Sequence, residues 1–112
     1  MNRYIELHNM EDGYLSLISQ IESFYTEPFS LHIETKNISN VSFSMVINFS
    51  IFLLRLKQRE PQYLIHTTIR VYSDTIYNLL YYLFTYLSRP IAPVKILKYD
   101  KNELKHSYTF LP

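Results

Sequence analysis

The chain has 112 residues, enough for one ordinary domain spanning residues 1–112, and 47% of them are hydrophobic, so a buried core is expected. A formal net charge of +1 argues against a protein built mainly to bind nucleic acid. The absence of cysteine excludes disulfides and thiolate chemistry, and a single glycine excludes the Gly-rich loops that cradle nucleotide phosphates.

The opening MNRYIELHN alternates apolar and polar residues and has no apolar leader core. It predicts a half-buried strand rather than a secretory signal, and with it a cytoplasmic location. Asp12 is placed to cap a first helix, whose apolar set Tyr14, Leu17, Ile18, Ile21, Phe24 and Tyr25 follows i, i+3, i+4 spacing. FSLHIET alternates again, with Phe29, Leu31 and Ile33 against Ser30, His32 and Glu34. Ser42 can cap a second helix from about Phe43 to Lys57, and Pro61 breaks the pattern. YLIHTTIRVY predicts a third strand. Ser73 or Asp74 caps a third helix that Pro90 ends, and VKILKY and ELKHSYTFL read as two closing strands. Neither apolar helix approaches the run of about 20 residues that crosses a bilayer, so no membrane insertion is expected.

The order β-α-β-α-β-α-β-β predicts an α/β fold with a mostly parallel or mixed sheet of four to five strands. Strands buried on both faces read as continuous apolar runs, whereas three of these set a polar face against an apolar one. The expected architecture is therefore two layers, with three helices mainly on one face of the sheet.

One stretch, from PFSLHIETKNISNVSFSM through YLIHTTIRVYSDTIYNLLYYLFTYLSRPIAPVKIL, resembles a STAS domain, the fold of anti-sigma-factor antagonists and sulfate-transporter tails. The likeness lies in the order of parts over roughly residues 28 to 98: a strand, a polar loop, a serine at a helix start, then helix, strand, helix and strand. The family's phosphorylatable loop reads close to D-S-[ST]-G. Here NVSFSM stands in its place without the aspartate or the glycine, and the resemblance implies Ser42 or Ser44 as the phosphoacceptor. On the residues alone, the two serines are helix-cap residues or an anion site at a helix N-terminus.

His8, His32 and His66 fall on the polar sides of three strands, with Glu6 and Glu34 beside them. If they converge, they make a metal-ligand set and a small metal- or ligand-binding enzyme. If they do not, they line a solvated sheet face. Lys57, Arg59, Lys95, Lys98, Lys101 and Lys105 give a mild basic excess that reads as solvated surface. No catalytic or cofactor motif is present, so neither an enzyme nor a cofactor is expected.

The two later helices carry the most informative signal. On a helix from Thr75 to Ser88, the core stripe is Ile76, Leu80, Leu83, Phe84 and Leu87, which leaves Tyr77, Tyr81, Tyr82 and Tyr86 outside or beside it. The second helix is apolar nearly all round, and such helices are buried on more than one side. The expectation is a non-enzymatic regulatory, scaffold or assembly domain that meets a protein partner, a second copy or a hetero-partner, with Phe52, Tyr77, Tyr81, Tyr82 and Tyr86 at the interface. The richness in tyrosine, isoleucine and asparagine matches an AT-rich coding sequence, as in many viruses and phages.

Overall fold

The structure, a computed structural model, describes residues 1–8, 13–38 and 41–112. Its elements follow the expected order: β1 (Asn2–His8), α1 (Gly13–Ser23), β2 (Phe29–Asn37), α2 (Phe43–Leu56), β3 (Leu64–Val71), α3 (Asp74–Tyr82), a π-helical turn (Leu83–Leu87), β4 (Val94–Asp100) and β5 (Glu103–Phe110). The cap expected at Asp12 lies outside the described residues.

The five strands form one sheet in sequence order. The first three pairings are parallel and the last is antiparallel. Each parallel step moves the same way across the sheet, and right-handed crossovers then place all three helices on the same face. This is the two-layer α/β arrangement that strand alternation predicts. The register runs Ile5, Ile33, Ile69 and Ile96 side by side across four strands, and all four are buried. Leu17 and Ile21 of α1, Val46, Phe52 and Leu56 of α2, and Ile76 of α3 close over this row, followed by Leu83 and Phe84 of the π-helical turn.

Local chemistry sets the boundaries. Ser42 Oγ accepts a hydrogen bond from the Met45 amide, and Ser73 Oγ accepts from the amides of Thr75 and Ile76, so a serine satisfies free N–H groups at the start of both helices. The third helix does not continue as one α-helix to Ser88. It ends at Tyr82, and the Ser88 amide donates to the Leu83 carbonyl, which widens the last turn. Within this turn the consecutive residues Leu83 and Phe84 are both buried. Between β4 and β5, Lys101 and Asn102 take φ of 50° and 65°, the left-handed pair that a two-residue hairpin needs.

Candidate interaction surfaces

The face of the sheet without helices carries most of the polar residues singled out above. Tyr4, His32, Thr68 and Lys95 make one row across the strands, and Glu6, Glu34, Arg70 and Leu97 the next. As alternation predicts, this face is the more exposed: Tyr4, Glu6, Arg70 and Lys95 are exposed and His32, Glu34 and His66 half-buried, whereas the isoleucine row opposite is buried.

These side chains bond mostly to one another. The His32 ring stacks on Tyr4 at 4.8 Å between centroids, and its Nε2 lies 3.3 Å from Asn2 Oδ1. Desolvation first, then the nearby Arg70 and His66, lowers the His32 pKa below its usual value and favours neutral imidazole. His66 Nδ1 lies 3.4 Å from Thr68 Oγ1. Asn37 donates to Glu6 Oε1 at 2.6 Å, and the Tyr72 hydroxyl donates to Glu34 Oε1 at 2.5 Å. Tyr72 in turn stacks on Tyr99 at 5.5 Å, and its pKa is pushed up to about 12 by burial and then by the Glu34 hydrogen bond. The histidines do not converge. His32 sits opposite Thr68 and His66 opposite Ser30, and the His8 side chain lies outside the described residues. Among the described residues, no three histidine or acidic side chains gather into a metal-binding group.

The outer surface of the helix layer behaves differently. The tyrosines of the third helix divide in two. Tyr77 is half-buried, with the His106 ring edge-on at 5.6 Å, and Tyr81 packs edge-on against Tyr108 and Phe110 at 5.5 and 5.4 Å. Both rings cover part of β5. Tyr77 is thereby committed to the fold and is not the free partner anchor that the helix pattern suggests, whereas Tyr81 keeps 38% of its surface exposed. Phe52 is a second correction. It is 6% exposed, within the core, and unavailable to a partner. The remaining two tyrosines do face outward. Tyr82 is 39% and Tyr86 72% exposed, and their rings lie 5.3 Å apart. Phe43, 55% exposed, comes within 5.8 Å of Tyr82 and extends the chain of rings onto α2. Ile51 and Leu54 are exposed further along α2.

Periodicity could not find Phe43, because in a helix as uniformly apolar as α2 every face looks like a core face. The seat of Tyr77 and Tyr81 lies some thirty residues further on, on β5. His106, Tyr108 and Phe110 alternate, and that alternation marks one face of a strand. Ser42 and Ser44 are both exposed, with hydroxyls 3.1 Å apart, and helix capping accounts for Ser42.

Comparison with protein-family models, curated proteins and solved structures returned no match for this chain. Among the described residues, no helix is long and apolar enough to cross a membrane.

Proposed function

We propose that the chain is a non-enzymatic protein–protein interaction domain, a regulatory or assembly element that works in the cytoplasm. The observation that carries this reading is the continuous run of exposed rings Phe43, Tyr82 and Tyr86, with Ile51 and Leu54 also exposed further along α2. Contiguous exposed apolar surface is uncommon on isolated domains, and tyrosine suits an interface because it buries a large ring while its hydroxyl stays hydrated. A STAS-like reading belongs to the same proposal. Its support is the capping serine at the start of α2, with parallel strands β2 and β3 on either side of that helix.

The simplest partner is a second copy. Light scattering across a concentration series should show a dimer, with an interface of about 800 Å² per partner. Tyr82→Glu with Tyr86→Glu should shift it to monomer at unchanged melting temperature. A wild-type protein that stays monomeric at the highest concentration excludes self-association, and a double variant that still dimerises removes these rings from the interface.

A further inference from the structure

Between α1 and α2 lies an open groove of about 440 Å³, within the size range of small-ligand sites. Its floor is apolar, from Ile18 and Ile51 over the buried Phe52 and Leu56, and its rim is charged, with Arg55 and Arg59 on one side and Glu22 on the other. Among the described residues, none of these three charges forms an ion pair. The salt bridges are Arg3–Glu27, Lys98–Asp74 and Lys105–Glu103. Arg59 is already oriented. Its guanidinium lies 4.8 Å over the Tyr25 ring, and the Tyr25 hydroxyl is anchored on Gln62 at 2.5 Å. A cation near a helix C-terminus complements the helix dipole, and that alone would explain Arg55. It does not explain a second guanidinium held over an aromatic ring at the mouth of an apolar groove.

We propose that this groove binds an amphipathic organic monoanion: a carboxylate held by Arg55 and Arg59, with its apolar body on Ile18 and Ile51. Guanidinium matches carboxylate geometry with paired N–H donors, and such charge-assisted bonds are stronger than neutral ones. Glu22 on the facing wall sets the charge limit, because a dianionic head group would meet its carboxylate. The site shares Ile51 with the apolar surface proposed to meet a partner, but none of that surface's rings.

The test is a titration of the isotope-labelled full chain, followed through the backbone amides of α1 and α2. The probes are decanoate, decyl phosphate and decyltrimethylammonium, all kept below their micelle concentrations. Decanoate should give saturable shifts confined to the groove, decyl phosphate weaker ones, and the cation none. Arg55→Gln with Arg59→Gln should weaken decanoate binding by roughly tenfold, and Glu22→Gln should tighten it by about threefold, as fits ion pairs at a partly exposed site. If loss of the Tyr25 contact unfolds the double variant, Arg55→Gln alone decides the matter, with an expected weakening of about threefold. Equal binding of the cation, no saturable binding of decanoate, or a folded Arg55→Gln variant that binds decanoate as the wild type does would each overturn the proposal.

Discussion

The two faces of the sheet are built from the same strands in the same register, yet they are held in different ways. On the helix side, Ile5, Ile33, Ile69 and Ile96 sit side by side beneath three helices, and each is lost to solvent almost completely. On the other side, one residue along, Tyr4, His32, Glu34, Arg70 and Tyr72 meet only their neighbours and water. Full burial of an aliphatic side chain is worth about 1.5–3 kcal/mol, whereas an exposed polar or charged contact is worth under about 1 kcal/mol. The helix side therefore fixes the fold. The open face is left free to vary at little cost in stability.

The sharpest way to break this comparison is to make matching truncations on adjacent residues of β3. Ile69→Ala should cost about 2–5 kcal/mol in urea unfolding, and Arg70→Ala should fall within about 0.5 kcal/mol of wild type. An Arg70 variant as damaged as the Ile69 variant would mean that the open face carries structural weight. The next effect in size divides the tyrosine helix. Tyr77→Ser with Tyr81→Ser removes four ring contacts among Tyr77, His106, Tyr81, Tyr108 and Phe110, and should cost about 2–4 kcal/mol, combining lost burial with aromatic pairing. Tyr82→Ser with Tyr86→Ser should cost less than about 1 kcal/mol, because Tyr86 is 72% exposed and the rings packed against Tyr82, Phe43 and Tyr86, are themselves exposed. Equal losses in the two pairs would contradict the division.

The contrast between the faces was legible in the sequence. FSLHIET and TIRV alternate cleanly, and a period of two leaves no choice of which residues face the helices. The contrast within the helices was not. In α2, Phe43, Phe49 and Phe52 are the same residue type, and only their angular position separates exposed, half-buried and buried. Only Ser44, Asn48, Ser50 and Arg55 interrupt the apolar run, and Ser50 is itself buried, so the polar residues set no clear phase and Phe52 read as a surface ring. In α3, the residues that decide where Tyr77 and Tyr81 go lie some thirty positions later on β5, where an antiparallel return brings His106, Tyr108 and Phe110 alongside the helix. Contacts at that separation are set by topology, which local spacing does not encode. The serine caps were legible because a cap needs only its own first turn.

Those caps supply the next smaller effect. Ser73→Ala should lower stability by about 1 kcal/mol, because its hydroxyl serves the amides of both Thr75 and Ile76. Ser42→Ala should cost no more than that, because its single capping bond is at the exposed start of α2. Thermal melts of both variants check this, and a neutral Ser42→Ala would return that serine to the candidates for modification.

The smallest effect compares the two sides of the sheet through proton binding. Tyr25, packed edge-on against buried Phe29 at the rim of the helix layer, and Tyr72, on the open face, both have pKa values pushed up from 10.0 to about 12. Burial is the leading cause for each. Arg59 pulls Tyr25 partly back, and the hydrogen bond to Glu34 pushes Tyr72 further up. A raised folded-state value means that the fold prefers the neutral phenol. Each tyrosine therefore contributes its full share of stability below about pH 10, and that share is lost as the pH rises through about 12. The informative quantity is the difference between wild type and variant. Tyr25→Phe and Tyr72→Phe should each flatten part of the alkaline fall in melting temperature. At higher pH the Tyr72 variant should also gain relative to wild type, because the phenolate it removes would lie against the Glu34 carboxylate. Parallel melting curves for wild type and both variants from pH 9 to about 12 would show that neither phenol is held in its neutral form by the fold.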